Sequence, residues 1–162
     1  MKNIYIITAL LFSVFIQAQD MNNEKLEEIL AKEADSLIGL SGRWQVTYKE
    51  LTLLVVTDET HDRMRIITPI AEVSSLDKEL LTICLAANYH SALDVKYAIS
   101  DDLLWSVYIH PLSPLTEEEL ISALAQVYSA AVTFGSTFSS TELIFGTGSN
   151  TEENKKPKTK KI

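Results

Sequence analysis

Apolar positions Leu26, Ile29, Leu30, Leu37 and Ile38 recur at helical spacing among charged residues, predicting an amphipathic helix over Asn23 to Ile38. Gly39 and the Ser41-Gly42 pair end it. The period then changes. Trp44, Val46 and Tyr48 alternate with polar neighbours, and Leu51 to Thr57 is rich in leucine and β-branched residues. After the polar turn Asp58 to Asp62, a third strand runs from Arg63 to Thr68, and Pro69 limits its pairing near the end. A second helix follows, with Ser74 or Ser75 as N-cap and a stripe of Leu76, Leu80, Ile83, Cys84 and Ala87, stopping at Asn88. Val95 to Ile99 and Leu103 to Ile109 read as two strands of a hairpin closed by Ser100-Asp101-Asp102.

The sharpest local signal begins the last helix. Thr116 and Glu119 have the spacing of a capping box, and Leu115 and Leu120 that of a hydrophobic staple. The helix is predicted from Glu117 to Phe134, with Gly135 at its end, and Thr137 to Phe145 is open to more than one reading. The order α-βββ-α-ββ-α predicts an α+β fold in which an antiparallel-rich five-stranded sheet is backed by helices.

The first residues change the picture of where such a domain works. Lys2, the apolar run Ile4 to Ile16 and small Ala18 have the order of a signal peptide over residues 1–18, cleaved after Ala18. The run is too short for the roughly twenty residues of a spanning helix. The expected location is periplasmic or secreted, with the membrane touched only transiently through the leader.

Charge is unevenly shared. Gln19 to Phe145 holds 20 Asp and Glu against 8 Lys and Arg, a net of −12, whereas residues 146–162 hold 5 Lys and 2 Glu, a net of +3. An acidic body argues against nucleic acid, whose phosphates are held by Lys and Arg. The lysine-rich end reads as a disordered tail, able to touch an anionic surface or to fold back on the acidic body. The single cysteine, Cys84, permits no internal disulfide.

No constellation announces a reaction. Asp58, Glu59, His61 and Asp62 place four donors within five residues, but they lack the glycine-punctuated spacing of a calcium loop, and a polar turn gives the same letters. His61, His90 and His110 have no Ser or Cys in a nucleophile elbow near them, and Cys84 sits in an apolar stripe. Glu117 to Glu119 serve as helix-start acids, and Gly146-Thr147-Gly148-Ser149 lacks the following helix of a phosphate loop. Neither metal nor cofactor is expected. Aromatic residues on strands, Trp44, Tyr48, Trp105 and Tyr108, are the candidates for a partner-binding surface if they face outward, and core packing is the competing role.

Trp44-Gln45-Val46, Asp62 to Ile70, Leu80 to Asn88 and Leu115 to Leu120 together resemble the YbjN-like sensory-transduction-regulator family, which is similar in fold to the class I type III secretion chaperones. The resemblance covers about Glu24 to Phe138, and the domain is taken as residues 24–138. It implies a non-enzymatic module that binds a protein, often as a homodimer, and it carries over no catalytic residue. The secretion chaperones act in the cytoplasm, whereas this chain has a leader, so only the binding-module part transfers. The reading is an exported protein-binding or regulatory module. The alternative is a small secreted enzyme or small-ligand binder with a pocket between sheet and helices. A deep polar pocket joining His90 or His110 to a carboxylate favours the alternative, and a shallow apolar groove with outward Trp44 or Tyr48 favours the module.

Overall fold

A computed structural model describes residues 20–145. The predicted signal peptide over 1–18 and the predicted disordered tail over 146–162 lie outside the described residues. The elements are α1 (Asn23–Glu33), β1 (Ser36–Leu40), β2 (Arg43–Tyr48), β3 (Leu51–Asp58), β4 (Arg63–Glu72), a 3-10 turn (Val73–Ser75), α2 (Lys78–His90), β5 (Lys96–Ser100), β6 (Leu103–His110) and α3 (Glu117–Val132). One sheet, in the order β1-β2-β3-β4-β6-β5, joins all six strands by antiparallel pairing. The α+β architecture is as expected, but the sheet has six strands rather than five.

The additional strand comes from the end of the predicted first helix. That helix stops at Glu33, where Ala34 turns extended (φ −89°, ψ 147°), and Ser36–Leu40 pairs with β2. Leu37 and Ile38 satisfy a helical period as well as they satisfy alternation, so only pairing decides between them. Gly39 makes the pairing possible. Its φ is +149°, and a Cβ there would lie 2.3 Å from the carbonyl oxygen of Arg43. A two-residue turn, Ser41-Gly42, closes the hairpin.

Alternation then sorts the sheet into two faces. Trp44 and Val46, Leu53 and Val55, Met64, Ile66 and Thr68, Tyr97, and Leu104, Ser106 and Tyr108 are buried on one face. They form one core with Leu26, Ile29 and Leu30 of α1, Cys84 and Ala87 of α2, and Leu120, Ala123, Leu124, Val127 and Ala130 of α3. The hydroxyl of Ser106 donates to the Val127 carbonyl oxygen at 3.0 Å, which fixes α3 over the sheet centre.

Other boundaries moved for identifiable reasons. α2 is capped by Asp77, whose carboxylate accepts from the Leu80 N–H at 2.8 Å, while Ser74 and Ser75 lie in the 3-10 region ahead of it. Asn88 does not end α2. Its amide clasps the outer edge of β5, donating to the Tyr97 carbonyl oxygen (3.1 Å) and accepting from the Tyr97 N–H (2.7 Å). β4 continues past Pro69 to Glu72, with a register shift between Pro69 and Ala71. α3 ends at Val132, and Gly135 follows in the left-handed region (φ +80°). The Asp101-Asp102 turn closes the β5–β6 hairpin with both residues at positive φ (51° and 59°).

Two carboxylates hold the loops at one end. Asp62 accepts from the Ser113 N–H (2.6 Å) and hydroxyl (3.0 Å), tying the β3–β4 turn to the β6–α3 loop, and Ser113 in turn accepts from the Met21 N–H. Glu119 completes the capping box, accepting from the Thr116 N–H at 2.8 Å while Thr116 accepts from the Glu119 N–H at 3.1 Å. Leu115 and Leu120, the predicted staple, are both buried.

Gly39→Ala meets backbone that cannot retreat and is expected to cost about 1–3 kcal/mol or more, read from the urea midpoint. The acid side gives a second expectation. Hydrogen bonds, from the Ser113 N–H for Asp62 and the Thr116 N–H for Glu119, hold both carboxyls below the usual carboxylate range. A depressed folded pKa contributes stability above the unfolded value and loses it as pH falls through the folded one. Asp62→Asn is therefore expected to be less stable at pH 7, with a shallower decline on acidification than the parent. An unchanged slope in acid titrations of stability would remove Asp62 from this role.

Candidate functional site

The four strand aromatics divide between the two faces of the sheet. Trp44 is 3% exposed on the helix-facing side, and its indole N–H finds no acceptor among the described residues. Tyr108 is buried on the same side. Tyr48 is half-buried at the margin of that side, edge-on to Tyr128 at 5.9 Å, with the Lys49 ammonium over both rings. Trp105, paired with Pro69, stands half-buried on the opposite face and donates its indole N–H to the Ser100 carbonyl oxygen at 3.0 Å.

That opposite face is the larger surface feature. Strand register brings Ile38, Gln45, Leu54, Ile67, Val107 and Lys96 into one row across all six strands. The next row is Leu40, Arg43, Val56, Arg65 and Ile109. Among the described residues no helix packs on these rows, and Ile38, Leu40 and Ile109 are 65%, 81% and 56% exposed. Shallow apolar depressions mark it, one between Ile38, Gln45, Leu54 and Val56 and another between Val56, Arg65 and Ile109. Of the four aromatics, Trp105 lies on this face, whereas Trp44 and Tyr108 are buried on the other. The signal that could have found it is the unbroken apolar run Leu53 to Val56, which leaves a strand apolar on both faces when only one is covered.

A polar cleft lies at one end of the sheet, between the α2–β5 loop, the end of β6 and the first turns of α3. Asp94, Tyr108, His110, Glu119, Ser122 and Gln126 line it. It joins a histidine to carboxylates, the arrangement that favours the alternative reading. The histidine is nevertheless not set up as a base for a nucleophile. Its Nδ1 contacts the Pro111 carbonyl oxygen at 2.7 Å, and Ser122 accepts from the Gln126 amide at 3.2 Å. Among the described residues no serine, threonine or cysteine is hydrogen-bonded to a histidine.

The remaining chemistry-bearing side chains serve the scaffold. Asp58 accepts from the His61 backbone N–H (3.0 Å) and contacts the His61 ring at 2.7 Å, Glu59 accepts from the Asn23 N–H, and Asp62 holds Ser113. The His61 side-chain hydrogen bond, above all, lowers the Asp58 pKa. Among the described residues no three His, Cys, Asp or Glu side chains converge on a metal position. Cys84 is buried, and burial pushes its thiol up, away from thiolate reactivity. His90 contacts the Phe145 carbonyl oxygen at 3.1 Å.

No protein-family model matches the chain, and no curated protein does. Solved structures do. The ExsC–ExsE complex contributes a chain with a TM-score of 0.53 at 13% identity, covering 68% of this chain and 92% of that one. The HopA1–SchA chaperone–effector complex matches at 0.53 and 14% identity, covering 67% and 88%. The Yersinia pestis type III secretion chaperone SycH, in complex with a stable fragment of YscM2, matches at 0.54 and 16% identity, covering 70% and 98%. The fold is therefore chaperone-like.

Burial pushes both Tyr97 and Tyr108 to a pKa of about 12, but their hydroxyls differ. Tyr97 donates to the Ala130 carbonyl oxygen at 2.7 Å, whereas the Tyr108 hydroxyl has no hydrogen-bond partner among the described residues. Tyr97→Phe is expected to lose about 1 kcal/mol of stability and Tyr108→Phe about none, measured side by side in denaturant. Equal losses would show that Tyr108 holds a structural bond.

Proposed function

We propose that this chain is an exported, non-enzymatic protein-binding module of YbjN-like kind, and that the outer sheet face receives the partner. The uncovered apolar rows on that face carry the reading. Exposed apolar side chains gathered in a patch are unfavourable in water and mark an interaction site. Its charge supports a partner class. Arg43, Arg65 and Lys96 stand on this face in a body whose net charge is −12. A segment bearing apolar and acidic side chains fits both properties. Structures of similar fold are themselves complexes, one of a chaperone with an effector. The leader, residues 1–18, supports export.

A second copy fits elsewhere. Leu85 and Tyr89 of α2, four residues apart on one helix face, are 70% and 77% exposed. They support self-association through α2, leaving the sheet face open for the other protein.

Affinity purification of the leaderless chain from its native envelope tests the module. A stoichiometric protein is expected to co-purify, and Ile38→Glu or Leu54→Glu to reduce its recovery about tenfold or more with the circular dichroism spectrum unchanged. Recovery unaffected by both substitutions would move the site off this face. A mass that includes residues 1–18 would overturn cleavage after Ala18, and recovery from the cytoplasm alone would overturn export.

A further inference from the structure

After α3 the chain turns back onto the domain. Residues 133–139 first close on themselves. The Thr133 carbonyl oxygen accepts from the Ser136 N–H (3.0 Å) and the Phe138 N–H (3.1 Å), and the Thr133 hydroxyl donates to the Ser139 carbonyl oxygen (2.8 Å). This loop lays Phe138, 7% exposed, against Tyr97 with ring centres 6.1 Å apart, and against Phe134 at 5.5 Å. Tyr97 itself joins α2 to α3, its backbone held by Asn88 and its hydroxyl by the Ala130 carbonyl oxygen. Cys84 of α2 is buried at the same junction, near enough to the Tyr97 hydroxyl to act on it electrostatically.

A second set of bonds fastens the loop to the end of α2 and to the α2–β5 loop. The Ser91 hydroxyl donates to the Phe138 carbonyl oxygen (2.6 Å). Ser140 gives its N–H to the Ser91 carbonyl oxygen (3.1 Å) and its hydroxyl to that of Ala92 (2.8 Å). Further on, the Phe145 N–H reaches the His90 carbonyl oxygen (2.7 Å). Water can replace these bonds once the segment lifts, so opening leaves no donor or acceptor stranded. Apolar burial adds little, because Phe138 and Ser140 alone are buried between residues 135 and 145, and Leu143, Ile144 and Phe145 remain exposed. Strain opposes closure. Phe138 (φ 52°) on the segment and Leu93 (φ 49°) beside Ala92 both hold the left-handed backbone, which is unfavourable for a residue with a bulky side chain. Gly135, left-handed with open space around its Cβ position, stands where a hinge is needed.

We propose that residues 133–145 form a strap occupying, within its own chain, a docking seat built by α2, β5 and α3, and that a segment of a partner protein displaces it. The strap displays what the seat accepts. An aromatic ring lies against Tyr97, and two residues on, a small hydroxyl residue offers its N–H and hydroxyl to the carbonyl oxygens of Ser91 and Ala92. The fitting occupant is therefore a protein segment carrying an aromatic side chain followed at the second position by serine or threonine. Local openings of this kind belong to the least stable parts of a fold, those with little apolar burial and many hydrogen bonds near solvent. The seat shares no residue with the rows of the outer sheet face, so either surface can fail its test alone.

Cys84, the one cysteine of the chain, reports the opening. Its reaction with an aromatic disulfide reagent is followed in the leaderless chain at rising urea, below the unfolding transition. A strap that lifts by itself gives a rate nearly independent of urea, because little surface is exposed, whereas global unfolding gives a rate that climbs with the full equilibrium slope. Phe138→Ala is expected to speed labelling about tenfold or more, with the circular dichroism spectrum unchanged. In that variant a synthetic peptide of residues 133–145 is expected to restore protection saturably, and the same peptide carrying Phe138→Ala to leave it unrestored. Where Phe138→Ala loses the spectrum, Ser140→Ala, which keeps the ring, serves in its place with the same readouts. Three results overturn the proposal. They are labelling of the parent chain that keeps the full urea slope throughout, labelling that neither substitution accelerates, and accelerated labelling that millimolar peptide does not slow.

Discussion

Six strands present two faces to their surroundings, and three helices cover one of them. Everything else in the molecule follows from that imbalance. Alternation along each strand sends Val46, Leu53, Ile66, Leu104 and their neighbours inward, where α1 and α3 exclude water. The same alternation must send the intervening residues outward. Polar residues there would make the outer face an ordinary solvated surface. Instead Leu54, Ile67 and Val107 share a row across β3, β4 and β6, with Ile38 beyond Gln45, and an apolar patch is left open to whatever can cover it.

Closure of the covered side depends on a few polar contacts in demanding places. Ser106 fixes α3 over the centre of the sheet by a hydrogen bond inside the core, and Asn88 satisfies both backbone groups of Tyr97 at the β5 edge. The latter also blocks that edge against strand addition, which leaves β1 at the far end as the less protected border. Asp62 and Glu119 organise the loops at the end where the polar cleft opens, and Glu119 contributes to both the capping box and the cleft wall. A helix start built for stability thus also sets the charge of a concave surface.

Two surfaces of opposite character result. The outer face is shallow, apolar and edged by arginine, suited to a protein segment. The cleft is concave and polar, lined by Asp94, His110 and Glu119. They share Ile109 at their border, since it lines both the cleft and a depression on the outer face. The chaperone-like fold by itself assigns neither role, because a fold hosts many functions.

Local chemistry was readable wherever it is local. The capping box at Thr116 and Glu119, the paired aspartates of the β5–β6 turn, the covered stripe of α3 and the inert burial of Cys84 all follow from residues near one another in the chain. The α+β class followed from the succession of periods. What sequence left undecided depends on distant partners. Leu37 and Ile38 join a strand because β2 offers backbone groups to pair with, and only Gly39 allows that approach. Trp44 faces inward and Trp105 outward because register, set by neighbouring strands, assigns each its face. The rows of the outer face and the meeting of Asp94 with Tyr108 and Glu119 join residues from separate elements, and nothing short of the assembled sheet could place them together.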